Sequence, residues 1–374
     1  MIKRHFSDIE AFLYPNKVLI IYGPRRVGKT TLLNNYLQKT KLKYRLDSGD
    51  NIRVQEVLSS RDFNAIKEYA SGYELIAIDE AQQISGIGMG LKILVDQIPD
   101  IKVVVTGSSS FDLAHQVGEP LTGRKTTITL FPIAEMELAG EQNPFDLKQT
   151  LEDRLVFGLY PESLTAPSRE NKIAAVEEIV NSYLFKDVLA LDKIKKSKTL
   201  VDLVKLIALQ LGSEVSMQEL ATNLGINART VERYLDILEK SFVLIGVGSL
   251  RRNLRNEVRG KKKYYFYDTG VRNGIISQFN RLSERNDTGA LWENYLFIER
   301  LKKRSYHNIH ANHYFWRTYE QQEIDYIEER EGKLFAYEFK WNQASAKAPV
   351  KFLEAYPNSE FTVITKDNYI EFVV

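Results

Sequence analysis

The sequence predicts an α/β fold built on a parallel sheet, and three observations predict it. Apolar, strand-length runs alternate with helical segments through residues 18–131: Val18-Leu19-Ile20-Ile21-Tyr22, Tyr44-Arg45-Leu46-Asp47, Leu75-Ile76-Ala77-Ile78-Asp79 and Val103-Val104-Val105-Thr106. Such alternation implies a parallel sheet covered by helices on both faces. The first run leads into Gly23-Pro24-Arg25-Arg26-Val27-Gly28-Lys29-Thr30, and the third ends in Asp79-Glu80.

The octapeptide after the first strand is the G-x-x-x-x-G-K-[ST] pattern, and it opens an amphipathic helix carrying Leu32, Leu33, Tyr36 and Leu37. Strand, loop and helix in that order are the setting a P-loop requires. The glycines let backbone N–H groups turn inward around phosphate oxygens, and the helix N-terminus adds its positive dipole end. The expected nucleotide-binding set is Gly23, Pro24, Arg25, Arg26, Val27, Gly28, Lys29, Thr30 and Thr31. Lys29 reaches the β- and γ-phosphates of ATP, and the Thr30 hydroxyl ligates Mg²⁺. Asp79-Glu80, about 50 residues further on, then reads as Walker B. Asp79 holds Mg²⁺ through water, and Glu80 polarises the attacking water.

The fourth run ends in Thr106-Gly107-Ser108-Ser109-Ser110. Ser108 is the residue expected to stand between Walker A and Walker B and sense the γ-phosphate; the alternative is a turn of small residues. Arg124, in Leu121-Thr122-Gly123-Arg124, is either an arginine finger on transition-state charge or a surface arginine.

With 374 residues, two or three domains are expected, each burying its own core. The 51 basic and 49 acidic residues nearly cancel, so net charge names no partner. The absence of Cys excludes disulfides, thiolate zinc sites and a Cys nucleophile, and fits a reducing compartment. Residues 1–8 run into no apolar leader, and no apolar stretch is long enough to span a bilayer. A soluble cytoplasmic protein without membrane association is expected. His5, His115, His307, His310 and His313 show no paired metal spacing; the last three would share a face only in a helix.

Together GPRRVGKTTLL, IAIDEAQ, VVVTGSSS and LTGR resemble the AAA-type ATPases widespread in bacteria and archaea, which carry a C-terminal domain of uncharacterised function. The likeness continues in Gly158-Leu159-Tyr160-Pro161-Glu162, Ser182-Tyr183-Leu184-Phe185-Lys186-Asp187 and Tyr267-Asp268-Thr269-Gly270. It implies an AAA+ module over residues 1–140. In that family the segments around 158 and 182 belong to the helical region after the sheet, and no chemistry is assigned to them. Residues 141–205, with Ile179, Tyr183, Leu184, Val188 and Leu191 at helical spacing, read as a helical lid or connector.

Residues 206–280 read as a winged helix. Ser216-Met217-Gln218-Glu219 is a capping box, Gly225-Ile226 a turn, and Asn227 the cap of a second helix with Val231, Leu235 and Leu238 inward. That helix exposes Arg229, Thr230 and Arg233 near its start, where a recognition helix meets DNA. A strand from Phe242 to Val247 and another at Tyr264–Tyr267 enclose Arg251, Arg252, Arg255, Arg259, Lys261, Lys262 and Lys263 against Glu257. Such density would follow a phosphate backbone; a solvated hairpin or a protein-joining wing is the other reading.

Residues 281–374 read as a closing α/β unit. Asp325 on one strand and Glu338-x-Lys340 on the next suit a two-carboxylate metal site with a lysine at the nucleophilic water, the PD-(D/E)xK nuclease arrangement. The similar family's C-terminal domain resembles the same restriction-endonuclease-like fold, and Glu293 matches the helical acid of such sites. Retention of the fold without cleavage is the alternative. The whole reads as an ATP-dependent switch or motor coupling nucleotide state to DNA engagement; an ATP-gated nuclease, or a toxin–antitoxin-like regulator whose winged helix binds protein, are the other readings. An arginine finger supplied in trans would make the protein a homo-oligomer.

Overall fold

Five parallel strands form the sheet on which the nucleotide motif sits: β1 (Val18–Tyr22), β2 (Tyr44–Ser48), β3 (Leu75–Asp79), β4 (Lys102–Gly107) and β5 (Lys125–Thr129). Their order is β2-β3-β4-β1-β5. The helices between them are α1 (Lys29–Leu37), α2 (Ile52–Ser59), α3 (Phe63–Ala70) and α4 (Ile87–Gln97). The three inner strands are apolar on both faces because helices cover both. Val18 and Ile20 join Ile76, Ile78, Val103 and Val105 in one core with Leu58, Ile66 and Leu91 from α2, α3 and α4. The edge strand β2, reading Tyr-Arg-Leu-Asp-Ser, has no buried position and needs none.

The computed structural model describes residues 2–107, 118, 120–182, 197–250, 261–318, 320, 322–342 and 346–374. They divide into two compact units, one of residues 3–132 with 240–242, the other of residues 2, 133–239 and 243–374. Ser108, Arg251, Arg252, Arg255, Arg259 and the periodic positions Tyr183–Leu191 lie outside the described residues.

The second unit begins with short helices: α5 (Glu135–Ala139), α6 (Pro144–Gln149), α7 (Leu151–Phe157), α8 (Pro161–Thr165), α9 (Arg169–Ile179) and α10 (Ser197–Leu209). A small sheet of β6 (Glu214–Val215), β7 (Leu244–Gly248) and β8 (Lys262–Phe266), ordered β6-β8-β7, encloses in sequence α11 (Met217–Leu224) and α12 (Ala228–Lys240). After α13 (Thr269–Ile275) the long α14 (Thr288–Tyr306) precedes a four-stranded sheet. Its order is β12-β11-β10-β9, from β9 (Asn312–Arg317), β10 (Glu323–Arg330), β11 (Lys333–Phe339) and β12 (Glu360–Ile364). Helices α15 (Val350–Ala355) and α16 (Tyr369–Val373) complete it.

Buried polar groups tie this unit together. The Arg154 guanidinium meets the Glu135 carboxylate at 2.7 Å, and the hydroxyls of Tyr295 and Tyr369 donate to that carboxylate at 2.6 and 2.9 Å. Helices near residue 140 are thereby fixed to α14 and to the last helix; a buried pair of this kind is costly to break from one side. The segments at 158–162 and 267–270 also meet. Asp268 caps α13 and accepts the Leu159 N–H at 2.7 Å. Gly158 has φ +74, and a Cβ there would lie 2.0 Å from an Asp268 oxygen, so only glycine serves. His307, His310 and His313 do not share a helical face, because α14 ends at Tyr306 and β9 starts at Asn312.

Candidate functional site

The loop after β1 has the backbone its glycines predict. Gly23 has φ +148, and a Cβ there would strike the Leu130 carbonyl oxygen at 2.1 Å. Gly28, at φ +95, is the cap residue of α1. Between them Arg26 adopts φ +59, an uncommon conformation for a side-chain-bearing residue. Lys29 is buried, and its ammonium donates to the carbonyls of Gly23 (2.9 Å) and Pro24 (2.7 Å) of the same loop. Arg4 donates to Val27 O at 2.6 Å and Phe131 O at 2.7 Å, bracing the loop from outside the motif. Thr30 and Thr31 are exposed at the first turn of α1.

Strand order brings the two motifs together. Because β4 lies between β1 and β3, its end faces both: Tyr22 pairs with Gly107, and Ile78 with Val105, which sets Asp79 beside Thr106. The Thr30 hydroxyl donates to Asp79 Oδ2 at 2.8 Å. The Thr106 hydroxyl donates to Asp79 Oδ1 and accepts the Glu80 N–H at 3.1 Å. Glu80 takes φ +51, with its carboxylate met by the Gln82 amide. Gly49 allows this turn, since a Cβ there would fall 2.2 Å from Glu80 O. A hydroxyl and a carboxylate in contact at the mouth of a P-loop are the hard oxygen donors that Mg²⁺ takes together with phosphate. The residues present therefore fit ATP and Mg²⁺. Thr106, fully buried, is a member of this group that the sequence reading did not single out, while Ser108 lies outside the described residues.

Arg124 is not brought to this group. Its carbonyl accepts the Val18 N–H, and Lys125 pairs with Val18 at the start of β1. The P-loop lies at the other end of that strand, about 16 Å away at the usual rise per residue. The guanidinium instead pairs with Asp96 on α4 at 2.5 Å.

The carboxyl-terminal cluster does assemble. Tyr326 pairs with Tyr337 across β10 and β11, so Asp325 and Glu338 are cross-strand neighbours. Lys340 donates to Glu338 Oε1 at 2.6 Å, and Asp325 Oδ2 accepts the Phe339 N–H at 2.7 Å. Phe339 faces the other way, buried against Tyr326 and Phe372. Glu293, from α14, accepts from Tyr265 OH at 2.6 Å and from Lys263 at 2.9 Å. Burial, and then the Glu293 and Glu338 carboxylates, push the Asp325 carboxyl well above its ordinary range. Among the described residues no group of three or more His, Cys, Asp or Glu side chains is placed to hold a metal ion.

On α12, Arg229 and Arg233 are exposed one turn apart, as the helical reading requires. Asn227 caps the helix by accepting the Thr230 N–H at 2.8 Å, and Val231, Leu235 and Leu238 are buried. Lys261 is exposed, and Lys262 is half-exposed near Glu239. Lys263 corrects the expectation for the basic run: its side chain is fully buried and unavailable to a phosphate backbone.

This arrangement of P-loop, acidic strand end and interposed strand is that of an AAA-type P-loop ATPase. Residues 15–139 match an AAA domain. Two domains of unknown function, DUF8612 and DUF4143, match residues 148–282 and 288–372. The chain is 30% identical over 332 residues to the uncharacterized protein Rv2008c of Mycobacterium tuberculosis, covering 88% of this chain and 71% of that protein. It belongs to the same family. The uncharacterized protein MJ1544 of Methanocaldococcus jannaschii is 22% identical over 371 residues, 93% of this chain and 80% of its own. Among solved structures, the Walker-type ATPase Paby2304 of Pyrococcus abyssi is 16% identical, with a TM-score of 0.49 over 74% of this chain and 96% of that one. Among the described residues no helix is long and apolar enough to cross a membrane.

Proposed function

We propose that the protein hydrolyses ATP at the Lys29–Thr30–Asp79–Glu80 site and uses the nucleotide state to control engagement of DNA by its second unit. The observation that carries the first half is the chain of contacts from Thr30 to Asp79 to Thr106 to Glu80. In this reading Thr30 and Asp79 hold Mg²⁺, which supplies charge neutralisation at the phosphates. Lys29 leaves the loop carbonyls for the β- and γ-phosphates, and Glu80 holds and polarises the attacking water. Ser108 is the γ-phosphate sensor of the same reading. Arg124, at the far end of the sheet from its own P-loop, acts only on a neighbouring copy, which makes the working form a homo-oligomer.

For the second half, support comes from the capped pair α11–α12 followed by the β7–β8 hairpin, the order expected of a winged helix over residues 206–280. Arg229 and Arg233 face solvent there, with Lys261 and Lys262 on the hairpin and Arg251 and Arg252 in the segment it encloses. The nuclease-like reading of residues 281–374 draws support from Asp325, Glu338 and Lys340 meeting on adjacent strands. The protein-binding alternative draws support from Glu232 and Asp236, exposed on the same helix as the arginines, which dilute its positive charge.

ATP turnover with and without duplex, single-stranded and branched DNA tests the whole. Lys29→Ala should lose nucleotide binding and turnover together, and Glu80→Gln should bind ATP yet turn it over much more slowly. Arg229→Ala/Arg233→Ala should weaken DNA binding and lower the salt slope by about 2 if both touch phosphate. Unchanged binding in the folded double variant would favour the protein-binding alternative.

A further inference from the structure

We propose that Arg4, outside every nucleotide-binding motif, is a positioning residue of the phosphate loop. Its guanidinium holds the Val27 carbonyl, so that the N–H of the same peptide unit, that of Gly28, is turned away from Arg4 and toward the phosphates. The proposal rests on the ATP reading above and adds a residue to that site. The segment carrying Arg4 is tied into the core of the first unit, with Phe6, Ile9 and Leu13 buried just beyond it. From there Arg4 Nη1 donates to Val27 O at 2.6 Å, and Nη2 donates to Phe131 O at 2.7 Å. A Cβ on Gly28 would lie 3.9 Å from Nη1, so the guanidinium rests against the loop at its last glycine.

A peptide unit is planar and trans, so its C=O and N–H point to opposite sides. A loop that aims N–H groups at phosphate therefore turns the carbonyls of the same units away, and each needs a donor of its own. Here Lys29 takes the Gly23 and Pro24 carbonyls, and the Leu32 N–H takes that of Gly28 at 2.9 Å. The Val27 carbonyl is taken by Arg4, which fixes the Val27–Gly28 plane at the start of α1. Arg26, one residue earlier, sits at φ +59, a conformation that persists only where the surroundings enforce it. The contact with Phe131 ties this half of the loop to the other. Leu130, beside Phe131, donates its N–H to Tyr22 O at 2.8 Å, and its carbonyl packs against Gly23. In the ATP reading Lys29 leaves its carbonyls for the phosphates, whereas Arg4 stays on the loop backbone. Lysine is a poor substitute, because an ammonium is a point donor and the guanidinium is a planar fork.

The test is calorimetric binding of ADP and of inorganic triphosphate to the full chain, since neither probe requires turnover. Arg4→Ala should weaken both by the same factor, about tenfold to a hundredfold, because the phosphate loop and not the base is affected. Guanidinium ion at millimolar concentration should restore affinity to Arg4→Ala and leave the wild type unchanged, and sodium at equal ionic strength should not. If Arg4→Ala fails to fold, Arg4→Lys carries the comparison: it keeps the charge without the fork and should lose affinity for both probes by a smaller common factor. A folded Arg4→Ala protein that binds both probes within about twofold of the wild type would overturn the proposal. So would a loss confined to ADP, which would put Arg4 at the nucleoside. A wild type that binds neither probe, or a Lys29→Ala protein that binds both equally well, would instead overturn the ATP reading itself.

Discussion

Thr106→Val tests how the ATPase site is held. The substitution keeps the shape of a fully buried side chain and removes only its hydroxyl. That hydroxyl donates to Asp79 Oδ1 and accepts the Glu80 N–H. One lost bond is to an ionised carboxylate, worth about 1.5–3 kcal/mol, and the other strands a backbone donor at about 1–3 kcal/mol. Partial rehydration at the site mouth makes the net destabilisation about 2–4 kcal/mol. The catalytic consequence is separate. Glu80 sits at φ +51, a conformation that nothing in a glutamate favours, and Thr106 is one of its anchors. Loss of that anchor should lower kcat for ATP by about tenfold to a hundredfold, or ~1.4–2.7 kcal/mol at the transition state. Nucleotide affinity should change little, because the contacts of Lys29 and Thr30 survive. Steady-state turnover, ATP binding and a melting curve on the same preparation separate these effects. A destabilised variant that turns over ATP within twofold of wild type would show that Thr106 positions nothing catalytic.

Two predictions concern the second unit. Burial, partly offset by Lys302 and reinforced by Glu135, lifts the Glu299 carboxyl to about 7. The folded state therefore keeps a proton that the unfolded chain releases near pH 4.3, so the associated stability is present at acid pH and lost as pH rises through 7. Glu299→Gln cannot titrate, and the wild-type-minus-variant stability from urea unfolding should fall by about 3 kcal/mol between pH 4 and pH 8; a constant difference would contradict the assignment. Gly158→Ala drives a Cβ into Asp268 and should cost about 3 kcal/mol or more, read as lost soluble yield or a lowered melting temperature. A near-neutral Gly158→Ala would mean that the Asp268–Leu159 contact is dispensable.

What the sequence revealed and what it hid divide by how far apart the interacting residues lie. Phosphate recognition uses consecutive residues, so Gly23 to Thr30 announce their backbone and their chemistry in one stretch, and Asp79 needs only the end of a strand. The place of Arg124 was not legible because proximity in sequence to the last strand says nothing of which end of the sheet it occupies; register decides that, through Lys125 opposite Val18. Lys263 was hidden for a related reason. In Lys261-Lys262-Lys263 every residue resembles a solvated cation, yet a strand alternates its faces, and the carboxylate that receives Lys263 lies 30 residues away on α14. Asp268 and Leu159, 109 residues apart, were invisible as a pair for the same cause. The correction has a consequence for nucleic-acid binding. Counted by sequence, the hairpin outweighs α12 in positive charge, but Lys263 is spent inside the fold and Lys262 lies near Glu239. Arg229 and Arg233 remain exposed on a capped, well-packed helix. Among the described residues, the salt-dependent part of any DNA affinity should therefore fall mainly on Arg229 and Arg233 of α12 and on Lys261.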